Sequence, residues 1–398
     1  MHLRLWLIPS TIIAFSAIFI GEPEVLAAVT NLSIASPDAV PTLPADYTFT
    51  QQITLTNKTN AAAYDVKAAV VLLAPETSYS EVELVQESQT PVNTYHDQYG
   101  NLIGTFIWNA IAPHTSVNLS LTYTATSSEV SYHLPTTYPP YNIHSSVYKF
   151  YTNPQLESQQ VNTDSPVLEQ IDQSVIKPGE NPEQKAQALF NWVVQNIHYN
   201  YSLQASGSAV ATAETHLGIC SDFADLYVGL LRTAKIPARF VGGYVTSNGS
   251  GQGGFHQWVE FYLPTVGWVV ADPTWGAYGY FASLQDHWHI GLYDGIRKDI
   301  TVTWNYSPQA LTASQASKQI TISYQYQFHK TVPIAPLKPV IVTKHKTTKK
   351  VRPILDPPII SHKVQSVPLN FWQQLWVTLT QWVSNSTKSV AHWFAKYF

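Results

Sequence analysis

At 398 residues, 45% hydrophobic and only 12% charged, the chain can fill the cores of two or three domains. Sparse charge together with 23 Tyr and 12 Trp fits an extracellular β-rich protein better than a cytosolic enzyme. Residues 331–398 hold nine of the 22 Lys and Arg but one of the 26 acids, Asp356, which leaves 13 bases against 25 acids in the body. The acidic body excludes a nucleic-acid partner, while the basic tail points to an anionic surface, either lipid headgroups or cell-wall polymer.

The first 30 residues, MHLRLWLIPSTIIAFSAIFIGEPEVLAAVT, set Arg4 before an apolar run and close on Val-Leu-Ala-Ala. This is the layout of a secretory signal peptide over 1–27, cleaved after Ala27. The run from Leu5 to Ile20 contains Pro9 and is short for a spanning helix. An uncleaved anchor is the other reading of the run, and either one puts the body outside the cell.

Residues 28–132 read as strands. In YTFTQQITLTN, Phe49, Ile53 and Leu55 alternate with Thr and Gln; YDVKAAVVLLA, GTFIWNAI and SVNLSLTYTAT follow, with NKTN and DQYGN as turns. Short strands at this spacing predict an antiparallel, immunoglobulin-like β-sandwich. It holds no cluster of catalytic residue types, so its expected role is structural or adhesive.

A Pro- and Tyr-rich connection, 133–165, leads to a second domain over 166–330. Asn181 as N-cap and Pro182 in the first turn open a helix that places Ala186, Leu189, Phe190, Val193, Val194 and Ile197 at helical spacing. A second helix starts near Cys220, with Phe223, Leu226, Tyr227, Leu230 and Leu231 facing the core, and stops at Pro237. The strands ARFVGGYV, FHQWVEFYL and GWVVADPTW come next, and helices followed by an antiparallel sheet make an α+β order. DITVTWNY and KQITISYQYQFHKTV read as two further strands that extend the same sheet.

Residues 331–369 read as a Pro- and Lys-rich extended linker. Over 370–398, Phe371, Trp372, Leu375, Trp376, Leu379, Trp382, Trp393 and Phe394 share one stripe of a helix whose other face is Gln, Ser, Thr, Asn and Lys. Such a helix is too polar to span a bilayer and fits an interfacial anchor. The other reading is a helix that packs on the body or on a partner protein.

The chemistry centres on Cys220, the single cysteine of the chain. A lone cysteine is usually a small buried hydrophobe. This one stands at a helix start, where free N–H groups and the macrodipole favour the thiolate. A thiolate nucleophile needs a base and a group to orient the base. In GFHQWVEFYLPTVGWVVADPTW, a hairpin closed through residues 263–265 pairs Tyr262 with Val266, Glu260 with Trp268, Trp258 with Val270 and His256 with Asp272. Opposed residues share a face with Cβ atoms about 5 Å apart, within reach of an imidazole–carboxylate bond. One residue more or less in the loop would send Asp272 to the other face.

The runs GICSDFADLYVGLLRTAKIPARFVGGY, FHQWVEFY and GWVVADPTW, with the helix FNWVVQNIHY, together resemble the transglutaminase-like core of the papain-like superfamily over about residues 180–275. The resemblance implies a papain-like core of helices and antiparallel sheet. It also implies Cys220 as nucleophile, His256 as general base and then acid, and Asp272 as the orienting carboxylate. The implied reaction forms a thioester acyl-enzyme at an amide, a glutamine side chain or a peptide bond, and passes the acyl group to an amine or to water. The expected partner is thus a protein or peptide substrate, and the expected location is secreted and surface-associated. Two other readings stand beside this one: a cysteine peptidase or amidase acting on extracellular or cell-wall peptides, and a non-catalytic cell-surface binding module.

The backbone N–H of Cys220 is one expected oxyanion donor, and Trp192, Tyr201 and His216 are candidates for the second. Gln257 stands where the family often has Ala and points away from the triad by strand alternation. Arg239, Asp222 and Asp225 are expected to be structural, and DHWHIG at 286–291 to line or cap the cleft. No run has calcium-loop or zinc-ligand spacing, and His287 with His289 makes weak metal chemistry, so no cofactor is expected. The loop TSNGSGQGG at 246–254 would govern acceptor access and water exclusion.

Overall fold

The computed structural model describes residues 36–331, apart from 74–76, 247–252, 297–299 and 308. The signal sequence predicted over 1–27 and the linker and helix predicted after Thr331 lie outside the described residues. Among the described residues, no helix is long and apolar enough to cross a membrane.

The chain opens with strands β1 (Ala39–Asn57), β2 (Ala63–Leu72), β3 (Ser80–Glu87), β4 (Asn93–His96), β5 (Leu102–Ile111) and β6 (Ser116–Tyr132). Along β1, Tyr47, Phe49, Gln51, Ile53 and Leu55 turn inward while Asp46, Thr48, Thr50, Gln52 and Thr54 turn outward, the period of two that a half-buried strand requires. Both β1 and β3 pair antiparallel with β6, while β2 and β4 pair antiparallel with β5. The two sheets share one apolar core that includes Phe49, Val66, Val70, Phe106 and Leu121.

Short helix α1 (Ser146–Tyr151) and helices α2 (Pro166–Val175) and α3 (Pro182–Asn196) follow. At the start of α3, Asn181 Oδ1 accepts from Gln184 N–H and Gln184 Oε1 accepts from Asn181 N–H, a reciprocal cap that satisfies two otherwise free donors. Next come β7 (His198–Tyr199), α4 (Ala209–Thr215), β8 (Leu217–Gly218) and α5 (Cys220–Thr233). Every residue of α5 from Asp222 to Arg232 is buried, so it is the central helix. Strands β9 (Ala238–Thr246), β10 (Gly253–Leu263), β11 (Gly267–Ala271) and β13 (His289–Asp294) form an antiparallel sheet in the order β11-β10-β9-β13.

One face of this sheet, with Phe240, Val259, Phe261 and Val269, packs on α3 and α5 through Leu189, Val193, Leu226 and Leu230. The other face packs toward the first six strands: Val241, Trp258 and Val270 meet Tyr79 and Val130. Polar contacts cross the same seam. Trp258 Nε1 donates to Tyr79 Oη at 2.7 Å, Ser127 Oγ to the His289 carbonyl at 2.8 Å, and Gly291 N–H to Ser80 Oγ at 3.1 Å. The two-residue strand β12 (Ser283–Leu284) also pairs with β6.

The last strands are not where sequence order put them. Strands β14 (Ile300–Tyr306) and β15 (Ile320–Thr331), separated by the four-residue helix α6 (Ala313–Ala316), do not extend the β9–β13 sheet. β14 pairs with β2, and β15 pairs with β1 from Asp46↔Thr331 through Asn57↔Ile320. Without β15, the long backbone of β1 would present a row of unpaired donors and acceptors. Its side chains fit the core it completes, since Phe328 stacks on Phe49 with ring centroids 4.3 Å apart and Phe49 stacks on Tyr123 at 5.0 Å. Alternation marked β15 as a half-buried strand, but a period-two pattern carries no information on which open edge it closes.

Arg239 is wholly buried and ties three strands together. Its Nε and Nη2 donate to Glu260 Oε2 at 2.8 and 2.6 Å, its Nη1 lies 2.9 Å from Asp294 Oδ2, and its guanidinium sits over Trp268 at 4.4 Å. Its place is structural.

Phe328→Ala is expected to cost about 3–5 kcal/mol, the usual loss for a buried aromatic, read as a lower urea midpoint. A loss below about 1 kcal/mol would show that β15 does not complete the core.

Candidate active site

The approach to Cys220 is set by two very short strands. β7, leaving α3, pairs in parallel with β8, entering α5, in the register His198↔Leu217 and Tyr199↔Gly218. His198 N–H donates to the His216 carbonyl at 2.9 Å and Asn200 N–H to the Gly218 carbonyl at 3.0 Å. Cys220 then occupies the first position of α5. Asp222 holds this turn: its Oδ2 accepts from Ile219 N–H at 2.9 Å, and its Oδ1 accepts from the backbone and hydroxyl of Ser206, both at 2.7 Å. Gly218 is required here because a Cβ would lie 2.6 Å from the Cβ of Asp222.

The structure brings Cys220, His256 and Asp272 together. His256 on β10 places Nε2 2.8 Å from Asp272 Oδ2, and its ring stands beside the Cys220 thiol, near enough for each to shift the other's titration. With Nε2 given to Asp272, Nδ1 is the atom left for sulfur. Asp272 is fully buried just past the end of β11; its own N–H donates to the Tyr280 carbonyl at 2.9 Å, and its Oδ1 accepts from Thr274 N–H at 2.8 Å.

The hairpin register differs from the expected one. The loop is residues 264–266, with Leu263 opposite Gly267, Tyr262 opposite Trp268 and Glu260 opposite Val270. Gly267 carries φ +93° and Thr265 φ +71°, so the turn uses the glycine as its exit. Both strands are displaced by one residue relative to the expected pairing. A partner index shifted by two keeps the same face. His256 therefore meets Asp272 diagonally instead of directly across, still on one side of the sheet.

The electrostatics follow from burial and pairing. Burial alone would push the Cys220 thiol up; the hydrogen bond and charge of His256, with the Gln257 backbone N–H, outweigh it and hold the thiol below its ordinary value. Burial would likewise lower His256, but the charge and hydrogen bond of Asp272, reinforced by Cys220, raise it to about 10. Asp272 is opposed by burial and overruled by His256 and His289, which hold it well below the usual carboxylate range. Pairing with His256 thus favours a thiolate beside an imidazolium over the neutral pair.

A fourth and a fifth group join this row. His289 on β13 is fully buried with Nε2 3.2 Å from the same Asp272 Oδ2, and its Nδ1 lies 2.9 and 3.1 Å from the two oxygens of Asp286. Asp286 also accepts from Tyr280 Oη and Trp288 N–H, both at 2.6 Å. The segment DHWHIG therefore supplies side chains to the site, beyond lining it. Its signal in the sequence was His289 three residues after Asp286, a spacing that also fits an ordinary turn.

Among the described residues, His256, Asp272 and His289 also form the cluster whose polar atoms lie within 4.8 Å of one another. Two atoms sharing a tetrahedral zinc at about 2.0–2.1 Å would stand roughly 3.3 Å apart. The 2.8 Å between His256 and Asp272 is a hydrogen bond.

The three residues considered for the second oxyanion donor are placed as follows. Trp192 on α3 faces the ring of His216, centroids 6.4 Å apart. His216 is the left-handed cap of α4, exposed, with Nδ1 3.1 Å from the Asn196 carbonyl. Tyr201 is 75% exposed and leans on Tyr199, centroids 4.6 Å apart. It is Tyr199, held by the β7–β8 pairing, that stands beside Cys220; burial first, then the charge of Cys220, push the phenol up to about 12. Two tyrosines at i and i+2 are indistinguishable by composition, and only the register of a two-residue strand separates them. Of the loop at 246–254, residues 247–252 lie outside the described residues.

Gly218→Ala is expected to dislodge Asp222, lowering stability by about 1–3 kcal/mol and slowing alkylation of Cys220. Urea unfolding and timed iodoacetamide labelling check both, and an unchanged labelling rate would separate the cap from the thiol.

The geometry can be set beside known proteins. The family model of the transglutaminase-like superfamily matches residues 169–273. The uncharacterized protein YebA of Bacillus subtilis (strain 168) is 43% identical over 75 residues, 16% of this chain and 10% of that one. A protein-glutamine gamma-glutamyltransferase of Pseudomonas aeruginosa is 36% identical over 70 residues, again 16% of this chain and 10% of the relative. This chain thus spans only about a tenth of the length of these two relatives. Among solved structures, a candidate cysteine protease from Cytophaga hutchinsonii superposes with a TM-score of 0.52 at 17% identity, over 76% of this chain and 96% of that one, which is a likeness of fold. Residues 169–273 thus match the core of the transglutaminase-like superfamily, within a papain-like fold of antiparallel sheet and a few helices.

Proposed function

We propose that the protein is an extracytoplasmic cysteine enzyme that forms a thioester acyl-enzyme at an amide and passes the acyl group to an amine or to water. The observation that carries this reading is the row Cys220–His256–Asp272, with sulfur at a helix N-terminus, His256 on sulfur and Asp272 on the far nitrogen of His256 at 2.8 Å. The glutamyltransferase likeness favours a glutamine side chain as the donor amide. A signal-like N-terminus fits a location outside the cytoplasm. The basic tail supports attachment to an anionic lipid or cell-wall surface.

In the mechanism, Cys220 Sγ attacks the amide carbon, a C–S bond forms, and the carbonyl electron pair moves onto oxygen. The Cys220 N–H and the Tyr199 hydroxyl receive that oxyanion. As the intermediate collapses the C–N bond breaks, and His256 gives its proton to the leaving nitrogen, which departs as ammonia or an amine. An acceptor amine or water then attacks the thioester, His256 takes its proton, and the C–S bond breaks to restore the thiolate. Asp272 holds the imidazole in orientation and stabilises its positive form throughout. Hydrolysis and transfer share every step except the identity of the acceptor.

The sign of the pH dependence follows from the shifts. The thiol is lowered and His256 raised to about 10, so the ion pair forms at lower pH than a free thiol ionises and is lost on the acid side when sulfur regains a proton. Alkylation of Cys220 by iodoacetamide is expected to stay fast well below the ordinary thiol range of about 8.5, and His256→Ala to move that limb to higher pH. A wild-type limb at the ordinary value, unmoved by His256→Ala, would leave the binding-module reading in its place. With a glutamine-containing protein and a fluorescent primary amine, Cys220→Ala is expected to abolish incorporation and Asp272→Asn to reduce it roughly 10²–10⁴-fold. Product formed without added amine would assign hydrolysis instead. Tyr199→Phe is expected to lower kcat about 10²-fold with little change in KM, the pattern of a lost oxyanion donor; equal loss in KM alone would make it a binding residue.

A further inference from the structure

His289 is bound at both ring nitrogens by carboxylates: Nε2 to Asp272 Oδ2 at 3.2 Å, Nδ1 to Asp286 Oδ1 and Oδ2 at 2.9 and 3.1 Å. An ionised carboxylate only accepts hydrogen bonds, so each nitrogen has to carry a proton. The carboxylates themselves are saturated by donors. Asp272 takes His256 Nε2 and His289 Nε2 on one oxygen and Thr274 N–H on the other; Asp286 takes Tyr280 Oη, Trp288 N–H, His289 N–H and His289 Nδ1. The backbone N–H groups on each carboxylate can only donate, and that favours its ionised form.

The cavity around His289 is closed. Trp275, Trp258, Tyr280 and His256 surround the ring with centroids 4.8, 5.2, 5.6 and 5.8 Å away. The titratable groups facing it are Asp272, Asp286, His256 and Tyr280; beyond Asp286 lie Glu129 on β6 and the neutral phenol of Tyr47 on β1. Water cannot stand in for a lost partner here, so a charge placed in this row is transmitted along it.

We propose that His289 is a positioning residue of the thiol site: kept as an imidazolium by Asp286, it shares one oxygen of Asp272 with His256 and lowers the pH at which Cys220 becomes a thiolate. The inference rests on reading Cys220–His256–Asp272 as the reactive row. Its sign is fixed by charge. A cation behind Asp272 favours an anion at sulfur, so removing it raises the pH of thiolate formation, and removing Asp286 together with it returns the net charge to its starting value.

The test is the rate of Cys220 alkylation by iodoacetamide from pH 4 to 9 in wild type, His289→Gln and the double variant H289Q/D286N. His289→Gln is expected to move the half-maximal pH up by about one unit, and the double variant to move it back. A role in packing alone would change thermal stability and leave that pH in place. An unmoved limb in His289→Gln, or a double variant displaced further, would overturn the proposal while the reactive thiol stands. A wild type that labels as an ordinary thiol would overturn the reading of the row, and this proposal with it. Should His289→Gln fail to fold, nitrogen-15 NMR of histidine-labelled wild type decides: a buried imidazole protonated at both nitrogens from pH 5 to 8 is expected, and its absence would overturn the assignment.

Discussion

A sheet covered on both faces has no water to offer its polar side chains, and the β9–β13 sheet is covered by helices on one side and by the first six strands on the other. Each charge it carries has to find a counter-charge inside the protein. Two rows result. Arg239 is closed by Glu260 and Asp294. His256, Asp272, His289 and Asp286 form a hydrogen-bonded chain from the thiol inward. The first row ties strands together, while the second ends at the half-buried Cys220.

The first six strands belong to this electrostatic frame. Trp258, two residues from His256 on the same strand face, is held by Tyr79; the segment that carries Asp286 and His289 is held by Tyr47, Ser80 and Ser127. A side chain positioned to within half an ångström needs rigid neighbours. The sheets supply them on the side of β9–β13 away from the helices. Loss of packing in the sandwich would therefore be felt as loss of alignment at His256.

Much of the site was legible because its chemistry is local. Cys220 is the single thiol, its helix is marked by an apolar stripe, and His256 and Asp272 lie on adjacent strands whose alternation assigns them a common face. That assignment withstood a turn placed one residue too early, since face depends on parity alone. Tyr199 stands beside the thiol while Tyr201 is exposed, a difference hidden because a two-residue strand has no periodicity to read. The role of His289 depended on β13 crossing beside β9, a long-range pairing. The same limit hid the destination of β14 and β15, whose patterns declare a strand but not its neighbour.

Since β15 seals β1, the core around Phe49 draws on residues nearly 280 positions apart in the chain. Synthesis therefore delivers the first partner long before the last. A chain leaving the ribosome, or entering another compartment from its N-terminus, holds β1 with one bare flank until Phe328 arrives. Contacts so distant in sequence make slow folders, and an open strand edge invites the wrong partner meanwhile. The Asp, Thr and Gln side chains along the outward face of β1 reduce that hazard, keeping the waiting strand soluble while its permanent neighbour is still being made.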